Sequence, residues 1–476
     1  MKQPRWNWIP LLLAFLLLCS CGSGTQGETQ ASPTPQADLP PDQSTPAPQP
    51  EDGPAIVVHN LADFSSGRAW VEFSYEGESA RRLGCVDKAG NLLFSFDADS
   101  IRKHVPFENG AAYVRDTEGV LYILNDMGQV LTSSAELPFA GIAACGDGYF
   151  LAYRNQEGYD ADGFQFLILD QTGQVVKELN STDCTLTSWE DFQTIATYEG
   201  GRQNNVAGYC GGGVFQFMKP DRMSFSGSSC AYVFYDVKTD ASFELECSYA
   251  QTFGQVEDGL CRLRMNGEDV LWDFQTQTGN LTELQALKTL VQSEHKDVAY
   301  TCGPMSNGRV VYTFYNSYES HREDPIFTYA YADKTGIYPL EAYREYLSAE
   351  YSAEMAFDET EDRLLLRFVG GDGNYYLAII DHTGNTIMEP IKCDFNHSSS
   401  FFRCGRFLAG TEGQVTIYDT DGTALFTLQD VGGSSIREYS DGAAIVDDTR
   451  AVDLNGAPLF TQIHTAGAQE LTLSSG

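Results

Sequence analysis

The sequence predicts an all-β fold: a β-propeller of about seven or eight blades, preceded by a signal peptide and a disordered tether. Two short turn phrases recur in alternation from residue 55 to the end of the chain. They form nine units, commonly spaced by roughly 34 to 50 residues, which is the period of a repeat protein. The segments between the turns are short and alternate apolar with other residues, which is typical of strands.

The first phrase is an apolar residue, two small or polar residues and a glycine, leading into an alternating strand. Clear copies begin at Phe64, Phe107, Val256, Met305 and Tyr439. Looser versions end at Gly148, Gly213 and Gly405, with a degenerate one near Asp362.

The second phrase is an aliphatic strand that ends in Asp-x-x-Gly and is followed by another strand. Asp can accept hydrogen bonds from backbone amides in a turn, and Gly adopts the positive φ that other residues resist, so the phrase predicts a hairpin. The predicted structural turn residues are Asp87 and Gly90, Asp170 and Gly173, Asp333 and Gly336, Asp381 and Gly384, Asp419 and Gly422, and Asp453 and Gly456. Residues 125–128 are a near match, and the regions around Asp236 and Gly279 are weaker.

These phrases together resemble the WG-repeat (KWG-repeat) family of bacterial proteins. Its units read approximately Phe-Ser-x-Gly-Leu-Ala-x-Val, then Gly-Tyr-Ile-Asp-Lys-x-Gly-x-x-Val. Residues 64–94 are the best match. The chain departs from the family at the Trp-Gly pair, because Leu83 precedes Gly84 where the family has tryptophan.

Units of three or four short antiparallel strands at this period suit a propeller, in which each blade packs between its neighbours and closure removes exposed edges. An open β-solenoid is the alternative. Residues 281–294 and 340–355 interrupt the strand pattern and favour helix, so we predict two insertions at the rim. Such insertions can carry function.

The N-terminus has the pattern of an export signal. Lys2 and Arg5 precede an apolar stretch of about ten residues, well short of the roughly 20 that span a bilayer as a helix. Residues 18–21, Leu-Cys-Ser-Cys, resemble a bacterial lipobox. The resemblance implies cleavage after Ser20 and lipidation of Cys21, and therefore an extracytoplasmic protein that is anchored to the membrane by lipid. An ordinary secretory signal is the alternative.

Three regions follow from this organisation. Residues 1–20 are the predicted lipoprotein signal peptide, and residues 21–54 are the lipidated cysteine with a Pro-rich linker. The linker cannot bury a core and is expected to be an extended tether. Residues 55–470 are the predicted WG-like propeller.

The charge of the chain argues against one class of partner. The formal net charge is −36 at pH 7, and the acidic residues are spread along the sequence. Nucleic-acid binding requires clustered Lys and Arg, so we expect no nucleic-acid partner. We expect a soluble surface and a monomer.

Ten cysteines remain besides Cys19 and Cys21, an even number that permits disulfides in an exported protein. The pairs that are close in sequence are Cys210 with Cys230, Cys247 with Cys261, and Cys393 with Cys404. Several cysteines lie within apolar strand patterns, so buried free thiols are slightly favoured over disulfides.

Motifs for catalysis and metal binding are missing from the sequence. Neither a Gly-x-Ser-x-Gly elbow, nor a His-Glu-x-x-His pair, nor a phosphate-binding loop occurs. Residues 160–163 and 419–422 look like calcium loops, but leucine stands where an EF-hand requires glutamate, at Leu169 and Leu428. We therefore predict no catalytic residue, metal site or cofactor.

The sequence favours a binding or scaffolding module for protein or glycan ligands, and an enzyme is the less favoured reading. The repeated turn aspartates point to structural roles, whereas non-repeated carboxylates clustered in the central funnel would favour catalysis. The alternatives are a surface carbohydrate-active hydrolase or lyase on a propeller scaffold, and an envelope-assembly factor.

Overall fold

The structure is a computed structural model that describes most of the chain between residues 53 and 473. The stretches that it leaves out are 138–140, 156–163, 181–206, 219–229, 248–249, 258, 266–267, 296, 303–304, 306–307, 317–325, 341–353, 358–362, 370–371, 382–384, 395–397, 400–401, 412, 430 and 432–435. All described residues belong to one compact unit, Pro50–Gly476.

The first half of this unit forms antiparallel sheets from consecutive strands, which we call blades 1 to 5. Blade 1 contains β1 (Ile56–Leu61), β2 (Arg68–Tyr75), β3 (Arg82–Asp87) and β4 (Leu92–Asp97), and blade 2 contains β5 (Ile101–His104), β6 (Ala111–Asp116), β7 (Leu121–Asn125) and β8 (Val130–Ser133). Blade 3 contains β9 (Gly141–Gly146), β10 (Tyr149–Asn155), β11 (Phe164–Leu169) and β12 (Val175–Asn180), and blade 4 contains β13 (Ala207–Gly211), β14 (Val214–Met218), β15 (Cys230–Asp236) and β16 (Ala241–Cys247). Blade 5 contains β17 (Ala250–Glu257), β18 (Leu260–Met265), β19 (Glu268–Asp273) and the very short β20 (Thr278–Gly279).

The second half begins with helix α1 (Leu281–Glu294) and continues with blades 6 to 9. Blade 6 contains β21 (Val298–Cys302), β22 (Val310–Asn316), β23 (Ile326–Asp333) and β24 (Gly336–Leu340), and blade 7 contains β25 (Glu354–Phe357), β26 (Arg363–Val369), β27 (Tyr375–Asp381) and β28 (Thr386–Cys393). Blade 8 contains β29 (Arg406–Thr411), β30 (Gln414–Asp419) and β31 (Ala424–Gln429), and blade 9 contains β32 (Ala443–Val446) and β33 (Arg450–Asp453). Isolated β-bridges extend these last two sheets. Ser398 pairs with Ala409 in blade 8, and in blade 9 Ile436 pairs with Val446 and Val452 pairs with Pro458.

Each blade packs between two neighbours, which explains why the central strands are apolar on both faces. In β26, Leu364, Leu365 and Leu366 are all 0% exposed. Leu364 and Leu366 pack with residues of blade 6, whereas Leu365 packs with residues of blade 8. Alternate side chains of a strand point to opposite faces of the sheet, so one strand serves two junctions.

The ring of blades closes between blade 9 and blade 1. Phe64 and Val71 of blade 1 share a buried cluster with Ala443 and Ile445 of blade 9. The chain then continues past blade 9, and β34 (Gln469–Glu470) adds to β4 in parallel as a fifth strand of blade 1. Closure confirms the propeller and excludes the open solenoid.

The described residues form nine sheets rather than the seven or eight blades expected from the sequence. The lower number allowed for a terminal unit that is split to close the ring and for a weak unit that belongs to a neighbouring blade. Blade 1 instead has four strands from its own repeat, and β34 extends it without completing it. Each of the nine turn signals therefore has a sheet of its own.

The first strands of blades 3, 4 and 5 lie towards the centre of the ring. Strand β13 lies beside both β9 and β17, the first strands of the blades on either side of it. First strands of neighbouring blades lie side by side only near the axis of the ring. The last strand of the chain, β34, pairs with β4, at the opposite edge of blade 1. The fourth strands therefore form the outer rim.

The predicted helix at residues 281–294 is confirmed as α1. For the second predicted helix, residues 341–353 lie outside the described residues, and the ends of the segment belong to strands β24 and β25. None of the helices in the described part of the chain is both long enough and apolar enough to cross a membrane.

Seven described cysteines are not part of a disulfide: Cys85, Cys145, Cys210, Cys261, Cys302, Cys393 and Cys404. The pairings of Cys393 with Cys404, of Cys210 with Cys230, and of Cys247 with Cys261 are therefore not formed. Burial raises the pKa of the Cys145 thiol to about 12, so this thiol is protonated at neutral pH.

Candidate functional site: the cleft between blades 5 and 6

In the four-stranded blades the Asp-x-x-Gly turns join the third and fourth strands, whereas in blade 8 the turn joins β30 to β31 and in blade 9 it follows β33. In blade 1, Oδ1 of Asp87 accepts hydrogen bonds from the backbone N–H groups of Ala89 and Asn91, both at 2.9 Å, and Gly90 has a φ of +82°. The structure places the other predicted turn residues at the same point of their blades: Asp170 and Gly173, Asp333 and Gly336, Asp381, Asp419 and Gly422, and Asp453 and Gly456. Gly384 and Cys21 lie outside the described residues.

A second constraint acts on the glycines of these turns, because the outer strand of the preceding blade approaches them closely. A Cβ on Gly422 of blade 8 would lie 2.6 Å from Met388 on the outer strand of blade 7. Similar approaches, all under 3.0 Å, occur between Gly128 and Phe94 and between Gly456 and Phe426. Turn and preceding outer strand therefore fill these junctions, which we call closed junctions.

The junction between blades 5 and 6 is built differently. The outer strand of blade 5, β20, has only two residues, and the chain turns at once into α1. Gly336 of blade 6 pairs directly with Asp333 across a two-residue turn. The nearest atom to a Cβ on Gly336 is the hydroxyl oxygen of Tyr338 in the same blade, at 3.5 Å. No strand of the preceding blade fills this space.

Helix α1 is fixed at this junction by a buried side chain and a polar group. Leu284 is 0% exposed and packs with residues of both blades. Glu268 of β19 accepts a hydrogen bond from Nε2 of Gln285 at 3.1 Å and another from the hydroxyl of Tyr300 on β21. Burial and the Glu268 carboxylate raise the pKa of Tyr300, which keeps this hydroxyl a donor at neutral pH.

The replacement of an outer strand by a helix leaves a cleft with a cavity volume of about 250 Å³ between blades 5 and 6. Two turns and the start of α1 surround it. The lining residues are Leu260, Leu271, Asp273, Thr276, Thr278, Gly279, Asn280, Glu283, Asp333, Lys334, Thr335 and Gly336.

The two turn aspartates of the cleft each use one carboxylate oxygen for the turn. Oδ1 of Asp333 accepts from the N–H of Thr335 at 2.7 Å, and Oδ1 of Asp273 accepts from the N–H of Gln275 at 2.7 Å. Oδ2 of either aspartate accepts no hydrogen bond from a described residue. Each turn therefore presents a carboxylate oxygen that remains available as an acceptor.

Asn280, the residue before α1, has a fixed orientation. Its Oδ1 accepts hydrogen bonds from the N–H of Leu271 at 3.0 Å and from the hydroxyl of Tyr312 at 3.4 Å. These donors identify the oxygen of the amide, so the opposite atom is the nitrogen. Nδ2 is buried and has no partner among the described residues. A buried amide donor without an acceptor carries an energetic cost.

An aromatic side chain lies next to the cleft. Tyr338 is 39% exposed, and its hydroxyl oxygen is 2.7 Å from Oγ1 of Thr335, which lines the cleft. Its ring stacks on that of Tyr331, with 5.0 Å between the centroids. The stack fixes the orientation of the Tyr338 ring.

A second group of polar residues connects blades 2, 3 and 4. Asp147 accepts hydrogen bonds from the N–H of Gly212 at 2.9 Å and from the hydroxyl of Tyr209. Burial, together with the charge of Asp147, raises the pKa of Glu108. Asp147 is engaged in joining two turns, so we assign this group to the packing of the ring.

The described residues contain no cluster of three or more His, Cys, Asp or Glu side chains that could hold a metal ion. Of the two sequences that look like calcium loops, residues 160–163 lie outside the described part of the chain. In the other, Oδ1 of Asp421 accepts a hydrogen bond from Arg363 at 2.7 Å. Oδ1 of Asp419 accepts backbone bonds within its own turn.

Only part of the cleft had a signal in the sequence. Asp333 and Gly336 belong to the repeated phrase, and the region near Gly279 was a weak copy of it. The break in the strand pattern at residues 281–294 indicated an insertion at this place. No signal pointed to Asn280 or Tyr338, because their roles depend on contacts across the junction.

The described residues thus define a nine-bladed β-propeller with an inter-blade cleft. No protein-family model matches the sequence, and no curated protein matches it. Solved structures that resemble the chain include a eukaryotic initiation factor, with 10% identity, a TM-score of 0.46, and coverage of 82% of this chain and 90% of that chain. BamB from Moraxella catarrhalis has 13% identity and a TM-score of 0.31, with coverage of 83% and 88%.

A third similar structure comes from a study of two prolyl endopeptidases. It has 11% identity and a TM-score of 0.32, and the match covers 85% of this chain and 48% of that chain. This chain therefore spans about half the length of that protein. These similarities concern the fold.

Proposed function

We propose that this protein is a lipid-anchored, extracytoplasmic propeller that acts as a binding or scaffolding module for protein or glycan ligands. The open junction between blades 5 and 6 is the observation that carries the binding proposal. It combines a cavity with two turn aspartates that each retain an acceptor oxygen. Concave sites that contain a few convergent polar groups are where ligands commonly bind.

The anchoring part of the proposal rests on the lipobox-like residues 18–21 and on the Pro-rich stretch that follows. A cysteine that carries two or three acyl chains would hold the protein on a membrane stably, whereas one chain would be marginal. The linker would allow the propeller to reach ligands away from the lipid surface.

We expect Cys21→Ala to abolish lipidation. The measurement is incorporation of an alkyne-tagged fatty acid, followed by detergent phase partitioning of the protein produced in a bacterial host. Cys19→Ala is the matched control, because Cys19 would be removed with the signal peptide. A Cys21→Ala protein that still carries the fatty acid would contradict the anchor.

We expect ligand contact to concentrate at the open junction. A photoreactive amino acid at Leu290, which is 60% exposed on α1, should crosslink to an envelope protein or glycan in cells. The same amino acid at Val176, which is 40% exposed on the outer strand of blade 3, is the matched control. Equal crosslinking at both positions, or none at either, would contradict binding at this junction.

The two alternative functions predict other results. Turnover of a glycan that is lost on substitution in the cleft would identify a carbohydrate-active hydrolase or lyase. Copurification with secretion or wall-synthesis machinery would identify an envelope-assembly factor.

A further inference from the structure

The charged residues of the cleft limit the kinds of ligand that it can bind. Three of its lining residues are carboxylates, and one, Lys334, is positively charged. This balance disfavours an anion. The carboxylates do not form a cluster that could hold a metal among the described residues, which disfavours a bare cation. A ligand whose neutral hydroxyl groups donate hydrogen bonds to these carboxylates fits the arrangement better.

The cleft also offers apolar surface. Leu260 and Leu271 line it, both 4% exposed, and the exposed ring of Tyr338 lies beside it. A ligand that satisfies both kinds of surface has hydroxyl groups at its edges and C–H groups on its faces. A sugar ring has this chemistry.

The size of the cavity sets an upper limit on the ligand. Its volume of about 250 Å³ is below the roughly 300 to 1,000 Å³ of sites that enclose drug-sized ligands. The space suits one ring of a longer chain better than a folded peptide segment.

We propose that the cleft binds one neutral sugar unit of a glycan, an inference that rests on the proposed function and specifies its ligand. Oδ2 of Asp273 and Oδ2 of Asp333 accept hydrogen bonds from sugar hydroxyls. The face of Tyr338 packs against C–H groups of the sugar.

The test uses the full chain in detergent and a panel of neutral hexoses, N-acetylhexosamines and their short oligomers, with binding measured by titration calorimetry. Asp333→Asn removes the carboxylate and keeps an amide oxygen for the turn. Asn125 shows that an amide can fill this role, because its Oδ1 accepts from the N–H of Met127 at 3.0 Å and of Gln129 at 2.9 Å.

Asp170→Asn is the matched control. Asp170 accepts hydrogen bonds from the N–H and hydroxyl of Thr172, as Asp333 does from Thr335, but it lies in blade 3 away from the cleft. We expect at least one saccharide to bind. We expect Asp333→Asn and Tyr338→Ala each to weaken its binding by about tenfold or more, and Asp170→Asn to leave it unchanged.

The possible results separate this inference from the proposed function. Binding of calcium alone, or saccharide binding that Asp333→Asn and Tyr338→Ala leave unchanged, would overturn the sugar site. An absence of saccharide binding combined with a protein crosslinked at Leu290 would overturn the sugar site and support the binding module. An absence of both would overturn both proposals.

Discussion

The junction between blades 7 and 8 and the junction between blades 5 and 6 contain the same turn phrase but differ in what meets it. At the first, Gly422 is in contact with Met388 on the eight-residue outer strand of blade 7. At the second, the outer strand has two residues, and the three atoms nearest to a Cβ on Gly336 all belong to Tyr338 of the same blade. A repeated turn therefore closes a junction only when the preceding outer strand is long enough to reach it.

The difference also explains why a site can arise at one place in a regular ring. At a closed junction the turn, the outer strand and the apolar faces fill the available volume. At the open junction α1 takes the place of the strand and holds the two blades together through Leu284. The space left beside its first turn contains polar groups that the fold itself does not use.

The largest expected effect is a loss of stability when a glycine at a closed junction gains a side chain. Gly422→Ala should reduce the free energy of unfolding by about 2 to 5 kcal/mol, because Ala is strained at φ +76° and its Cβ would overlap Met388. Gly110→Ala is the control, since Gly110 has a φ of +84° and no neighbour within 4 Å of its Cβ position. We expect it to cost about 1 to 2 kcal/mol. Equal losses in a urea titration would show that φ alone requires glycine at closed junctions.

A smaller effect should come from the junction between blades 2 and 3. Burial and the nearby Asp147 raise the pKa of Glu108, so the folded state disfavours its ionised form. Ionised Glu108 then costs stability at neutral pH, and this cost disappears as the pH falls through the raised folded pKa toward the ordinary glutamate value. Glu108→Gln should therefore be more stable than the parent at neutral pH.

The extra stability of Glu108→Gln over the parent should decrease as the pH falls from the raised pKa of Glu108 toward the ordinary glutamate value. Thermal unfolding at a series of pH values measures it, and Glu118→Gln, at an exposed position in blade 2, is the control. A Glu108→Gln protein whose gain in melting temperature is the same at every pH would rule out titration of this carboxyl as the cause.

Much of the fold was predictable because its signals are local. Asp87 and Gly90 form a turn through bonds within four residues, and the same pattern recurs wherever the phrase occurs. Helix α1 was also predictable, since its residues break the alternation of the strands. The number of blades was underestimated because the sequence does not show whether a terminal unit is split, and only the pairing of β34 with β4, more than 370 residues apart, shows that β34 adds to a blade that is already complete.

The candidate site was less predictable. Asp333 carries the same phrase as Asp170, and the sequence treats both as structural turn residues. What separates them is the neighbouring blade, which supplies an outer strand at Asp170 and only β20 at Asp333. Nothing local distinguishes Asn280, whose amide is fixed by Leu271 and Tyr312 from two different blades.

The sequence by itself determined the all-β class, the repeated turns and the position of the helical insertion, because these depend on the conformational preferences of neighbouring residues. The tertiary structure decided the closure of the ring, the number of blades and the location of the cleft. Those features depend on which surfaces remain without a partner once all blades are packed, and packing joins residues that are far apart along the chain.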